Sequence, residues 1–334
     1  MDASINSTIY KKHSSSYWSA AADFLFHCFC FGSSMYGVYC FRESILSIIT
    51  VPLLTLMLLR TFLIFHDCGH NSYTPNRNLN FIIGSACGSF LMTPFSWNSK
   101  HFMHHLSNGN IENPFKYQWS ETIDYTVDQY NKLHPGYKML YRIYRGPLIF
   151  FTVVPFFNFF ILNRLTILLS NGYNYASRET CIDWVINNTC LAIQQYIYYK
   201  YSIFIHYNIA FYFTCVIGFI LFHNQHTFNP AYIKNNSEWT LRESGLEGSS
   251  FIMIPRWLKY FTMGIEYHHI HHCMTRIPGY NLQECNDYIA KNTRMLENVV
   301  VLSMKDVFNN LFLTLYDESS GKFVSFSYSE KKNL

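Results

Sequence analysis

The chain has 334 residues, of which 49% are hydrophobic, 19% aromatic and only 14% charged, against about 25% charged in ordinary soluble domains. That balance excludes a disordered chain, which needs low hydrophobicity, and a small disulfide scaffold, which needs a short, cysteine-dense one. A net charge of +4 spread over this length also excludes a nucleic-acid binder, which needs a concentrated basic field.

In chain order, residues 1–23 read as a polar N-terminal tail without the charged-then-apolar pattern of a signal peptide. Phe24–Phe41 and Ile45–Phe65 follow, each long and apolar enough to cross a bilayer, which takes roughly 17–25 residues. Leu148–Leu169 and Ile203–Phe222 are the third and fourth such stretches. Leu79–Phe95 is rich in Gly and Ser and reads as re-entrant or interfacial. Trp184–Tyr199 carries Asn187, Asn188, Gln194 and Gln195 and is a poor span. Any one apolar run is explained by a buried core helix, but four in one chain are not. The expected fold is all-α: a multi-pass integral membrane protein with about four transmembrane helices, forming a single domain over residues 1–334.

The 25 Lys and Arg residues are unevenly placed. Two precede the first span, seven lie between the second and third, and eleven follow the fourth. By the positive-inside rule the N-terminus, the 66–147 segment and the C-terminal third face the cytoplasm. The ten cysteines include no C-x-x-C pair and are expected to be reduced thiols that act as small hydrophobes, without a metal role.

Histidine placement carries the chemistry. Of fifteen, eleven fall in four short clusters: His66 and His70; His101, His104 and His105; His223 and His226; and His268, His269, His271 and His272. Residues three and four apart share a helix face, so each cluster presents imidazoles in one direction. His269 falls off the face that His268 and His272 share. Neutral imidazole is a ligand for Fe, Zn, Cu and Ni. Two clusters begin at the ends of spans and two lie in the expected cytoplasmic segments, so all four can meet at one membrane face as a helical cap. Ten ligands, His66, His70, His101, His104, His105, His223, His226, His268, His271 and His272, exceed what one ion needs, and two metals are the natural count. His13, His27, His134 and His206 stand alone and read as hydrogen-bonded structural residues. No zinc-protease H-E-x-x-H, Gly-rich phosphate loop or G-x-S-x-G is present.

The boxes HDCGHNS at 66–72, HFMHH at 101–105 and EYHHIHHCMTRIPGYNLQ at 266–283 resemble those of the membrane fatty acid desaturases of the acyl-lipid type. FHNQHTF at 222–228, LEGSSF at 246–251, RIYRGP at 142–147 and LYDESSGKFVSF at 315–326 extend the resemblance over about residues 44–326. It implies a non-haem diiron centre held by the box histidines, with His226 as an added ligand and His223 as a further one, directly or through water. It also implies O2-dependent removal of two hydrogens from a long-chain acyl lipid in the bilayer, with O2 as co-substrate. Electrons would come from an external ferredoxin or cytochrome b5, since the chain carries no flavin or nicotinamide fingerprint. A lipid hydroxylase or ketolase sharing the same iron site is the nearest alternative. A membrane metal transporter or haem carrier would instead need its histidines or other ionisable groups inside the spans.

Overall fold

The structure, a computed structural model, describes residues 3–112, 125–164 and 178–332. The segment read as a tail begins with a helix, Ala3–His13 (α1), whose Ile9 is fully buried against Ile270, Leu282 and their neighbours. Ser16 then accepts the Ser19 N–H and caps Tyr17–Phe41 (α2). A short turn leads back into Ser47–Gly69 (α3), the axis of the molecule, whose second half is buried on nearly all sides. Arg60, the charge within this span, is paired with Asp23 of α2, which also accepts the Tyr73 hydroxyl at 2.8 Å. Pairing is what makes a buried charge tolerable.

After α3, Asn76 accepts the N–H groups of Asn78 and Leu79 and caps Arg77–Phe90 (α4). The chain turns back at 91–93 rather than continuing across. Thr93 N–H donates to the Gly88 carbonyl at 2.9 Å, and the returning segment lies directly on α4 because Gly84 and Gly88 have no side chains. A Cβ at Gly84 would stand 2.1 Å from the Phe95 ring, and one at Gly88 2.6 Å from the Thr93 carbonyl oxygen. Trp97–Ser107 (α5) then carries the second histidine box back beside the end of α3. The chain thus reverses within Leu79–Phe95, the segment expected to be re-entrant or interfacial.

Val127–Lys132 (α6) and Pro135–Arg145 (α7) precede Pro147–Phe157 (α8), which runs into a π-helical turn at Asn158–Leu162. The last residues of the third expected span, 165–169, lie outside the described residues. Arg178–Lys200 (α9) contains the weak segment Trp184–Tyr199, and its polar residues have structural work. Asn187 donates to the Thr93 carbonyl at 3.1 Å, Arg164 donates to Asn187 and Asn188 at 3.1 and 2.9 Å, and the Trp184 indole donates to the Arg164 carbonyl at 2.7 Å. Phe204–His226 (α10) packs along α3 and ends at the same level. Among the described residues α2, α3 and α10 are long and apolar enough to cross a membrane, and α7 with α8 and the π turn forms a fourth candidate bent by 75°.

The rest of the chain lies over the histidine-bearing ends of α3 and α10. It comprises Leu241–Leu246 (α11), Lys259–Thr262 (α12), His268–Cys273 (α13), Gly279–Asn292 (α14), Met304–Asn310 (α15) and Phe326–Lys332 (α16). Two small sheets depart from the all-α expectation. Phe251–Ile252 (β1) pairs in parallel with Val301–Leu302 (β2), and Leu315–Asp317 (β3) pairs antiparallel with Lys322–Val324 (β4). The second is a local hairpin: Asp317 accepts the Ser319 and Ser320 hydroxyls, and Gly321 supplies a φ of 65°. Leu315 and Val324 bury its inner face against Tyr130 and Tyr141.

Candidate metal centre

Four helix segments deliver nine histidines to one place. His66 and His70 come from the end of α3, His101, His104 and His105 from α5, His226 from the last turn of α10, and His268, His271 and His272 from α13. They divide into two groups: His66, His70, His101, His105 and His271; and His104, His226, His268 and His272. Within each group the ligating nitrogens lie within 4.8 Å of one another. Helical geometry makes the division. On α5 the i, i+4 pair His101 and His105 serves the first group while His104 turns to the second. On α13 the i, i+4 pair His268 and His272 serves the second while His271 turns to the first. The groups abut, with the His105 and His272 rings stacked at 3.9 Å.

The nitrogens converge as ligands of a metal do. Nε2 pairs lie 3.0 Å apart for His104–His226, His101–His105 and His226–His268, and 3.1 Å apart for His105–His271. Two nitrogens each ~2.1 Å from one ion and at about a right angle would be about 3 Å apart. One proton can sit between two facing nitrogens, yet His105 and His226 each face two. The Nε2 atoms of His66, His70 and His272 are buried with no hydrogen-bond partner among the described residues, a cost of about 1–3 kcal/mol for each such group. Cations at the two foci would relieve it, so the donor set fits two metal ions. Burial pushes the imidazoles of His70, His101, His104, His105, His268, His271 and His272 well below their ordinary pKa of 6.5, and the neighbouring imidazoles push the same way. They are held neutral, the form that binds metal.

Outer partners aim several rings. His226 Nδ1 donates to the Gly248 carbonyl at 3.0 Å, which leaves the Nε2 lone pair facing inward. Gly248 sits in the LEGSSF segment, itself held by Asn108, whose amide donates to the same carbonyl at 3.1 Å. Asp67 lies 3.2 Å from His66 Nδ1 through one oxygen and accepts the Gly279 N–H at 2.6 Å through the other, tying the first box to α14. Trp97 stacks on His101 with centroids 4.9 Å apart and planes 11° apart. Reading the boxes for ligands alone misses these partners. The available signals are Asp67 beside a ligand and Trp97 one helical turn before one.

The tenth expected ligand is placed elsewhere. His223 has Nε2 2.9 Å from the Asn310 carbonyl and packs its ring against Phe151, centroids 5.0 Å apart. His269 also stands outside both groups, with Nε2 3.0 Å from Asn286 Oδ1. His13, His27, His134 and His206 belong to neither group.

A cavity with almost wholly apolar walls runs from these groups down between α3, α5, the π turn and α10, the wall chemistry of small-molecule sites. His66 and His101 of the first group and His268 of the second line one end, while Leu59, Phe62, Phe159 and Phe211 line its body. Phe159 comes from the π turn, a distortion frequent at functional sites. It meets Phe62 edge-on with centroids 5.6 Å apart.

Residues 43–300 match the family model described as Fatty acid desaturase. The chain is 30% identical over 273 residues to a fatty acid desaturase of Bacillus subtilis (strain 168), covering 80% of this chain and 74% of that one. It is 24% identical over 236 residues to the sn-1 oleoyl-lipid 12-desaturase of Synechocystis, covering 69% of this chain and 64% of that protein. A shorter match, 38% over 53 residues and 16% of this chain, is to the chloroplastic sn-2 acyl-lipid omega-3 desaturase (ferredoxin) of Helianthus annuus. With the three histidine boxes and most of its length matched, the chain belongs to the fatty acid desaturase family.

Proposed function

We propose that this protein is an O2-dependent acyl-lipid desaturase that removes two hydrogens from adjacent methylenes of a long acyl chain. The observation that carries this reading is the apolar cavity ending on both histidine groups. Such a cavity takes a hydrocarbon chain and sets methylenes, rather than a polar group, against the metals. Methylene C–H bonds have no acidic proton for a side chain to remove, so the chemistry needs a metal-based oxidant. The nine clustered histidines are the ligands we assign to two irons, which supply that oxidant from O2 when bound.

The chain's own residues supply alignment and exclusion of water. Phe62, Trp97 and Phe159 pack against one another beside His66 and His101 and hold the chain against the first group. Misplacement by about 1 Å costs roughly a hundredfold in rate, so the cavity walls rather than the ligands set the position of the double bond. Electrons come from a separate ferredoxin or cytochrome b5; one relative is named as ferredoxin-dependent. The charge pattern of the connecting segments favours a cytoplasmic location for the histidines.

Expression in a yeast supplying cytochrome b5, and in a cyanobacterial host supplying ferredoxin, tests the reading. Gas chromatography with mass spectrometry of total lipid should reveal a new unsaturated fatty acid in at least one host. A hydroxy or keto lipid would make the enzyme a hydroxylase or ketolase on the same iron site. Iron-loaded protein in both membranes with no lipid product would end the proposal.

A further inference from the structure

Two cavities approach the histidines, and among the described residues one side chain, Phe222, lines both. The first is the apolar cavity described above. The second is the more polar of the two, with Ser107, Asn108, Asn110, Thr126 and Thr227 beside the aromatic rings of Tyr316 and Phe323, and it reaches His104 and His226 of the second group. Phe222 sits on α10 one turn before His226. Its ring centroid is 5.1 Å from that of His104 and 5.4 Å from that of His226, and it stacks on Phe219 at 6.3 Å. One aromatic ring, resting on two of the four histidines of one group, thus borders both the more polar chamber and the apolar one.

We infer that Phe222 is the partition around which an acyl lipid passes from the polar chamber into the apolar one, and that its ring fixes which carbons lie at the histidines. This rests on the acyl-desaturase reading. An acyl lipid has ester oxygens at one end and only methylenes beyond. Oxygens lose hydrogen bonds in an apolar chamber, and methylenes are favoured there by removal from water. The lipid is therefore pinned along its length where the wall chemistry changes. Because Phe222 touches His104 and His226, the change of chemistry and the candidate reaction point fall at the same depth. Phe222 acts as a positioning residue for the bond that reacts, not as a metal ligand.

Phe222→Ala joins the two chambers, while Phe222→Leu keeps an apolar partition of smaller size. Full-length wild type and both variants are expressed in membranes, iron per chain is measured, and the double bond is located by mass spectrometry after derivatisation. The expected result is one main product position in wild type and Leu, and product spread over two or more positions in Ala. Total turnover of Ala should fall about tenfold or more as alignment is lost. An unchanged single position in iron-loaded Ala overturns the inference, and so does loss of iron in both variants, since Phe222 would then only support the ligands.

A second readout separates this from failure of the desaturase reading. A phospholipid carrying a mid-chain diazirine is photolysed in the same membranes and the labelled peptides are mapped. If wild type makes no double bond but is labelled, the desaturase reading fails and the partition is judged by labelling alone. Narrow labelling around α10 in wild type that spreads to both chambers in Ala supports it. Identical labelling in both, or none in either, overturns it.

Discussion

At the scale of single residues, the structure separates two histidines that their sequence context treats alike. His223 and His226 are three apart on α10, yet His226 Nε2 faces His104 and His268, whereas His223 reaches the Asn310 carbonyl at the end of α15. A helix face spans a wide arc, and spacing alone cannot say which of two neighbours on it meets the partners arriving from α5 and α13. Under the two-iron assignment, His226→Ala removes a donor from a group of four and should abolish activity and lower iron per chain. Alanine at His70, His105 or His272 should do the same. His223→Ala should keep its iron, because it removes a tie between α10 and the C-terminal segment and no ligand. Elemental analysis of purified protein decides between these outcomes. Loss of iron in His223→Ala, or full iron and activity in two of the others, would contradict the assignment.

At the scale of elements, the spans and the histidine boxes were legible because both rest on local pattern: run length for the spans, i, i+3 and i+4 spacing for the boxes. Leu79–Phe95 was legible as an exception, because Gly and Ser at close intervals weaken a span. What its sequence did not disclose is where the chain reverses. That depends on Thr93 finding the Gly88 carbonyl and on α9 supplying Asn187 from about a hundred residues further on. The same distance explains why Asn187 and Asn188 read as defects in α9 when they are ligands of the turn and of Arg164. The β3–β4 hairpin escaped notice because its strands are three residues each, too short for an alternating pattern. The turn at 91–93 makes a direct prediction. Gly88→Ala puts a methyl group 2.6 Å from a backbone oxygen that cannot move aside cheaply, and such overpacking costs about 1–3 kcal/mol. Gly32→Ala on α2, where a Cβ meets nothing within 4 Å, should instead be neutral or stabilising by up to about 1 kcal/mol, since alanine favours the helix. Thermal unfolding in detergent should rank Gly32→Ala at or above wild type and Gly88→Ala below it.

For the whole molecule, the arrangement of helices converts the charge pattern into a topology that can be measured. α2 and α3 are antiparallel, and α10 ends beside α3, so the histidines gather at one end of the bundle. The turns at Ser44 and Ser202 gather at the other, where the Tyr39 and Tyr201 rings are 6.0 Å apart. α1 also belongs to the histidine end, because Ile9 is buried against the cluster that contains Ile270 of α13. Six of the seven basic residues between the second and third expected spans, and the eleven after the fourth, therefore fall in the described segments that the fold ties to that end, the pattern that the positive-inside rule associates with a cytoplasmic face. Lys132 and Asn235 are exposed loop or helix-end positions on the histidine side, and Ser44 and Ser202 are exposed on the other; exposed loop tips tolerate insertions best. Short epitopes inserted at Lys132 and Asn235 should be reached by antibody only after the membrane is permeabilised from the cytoplasmic side. Epitopes at Ser44 and Ser202 should be reached together from the opposite face. A split within either pair would mean that the chain crosses an odd number of times between them, and a single site assembled from all four histidine clusters could then not form. Both pairs intact but inverted would keep the site and place the proposed electron donor in the other compartment.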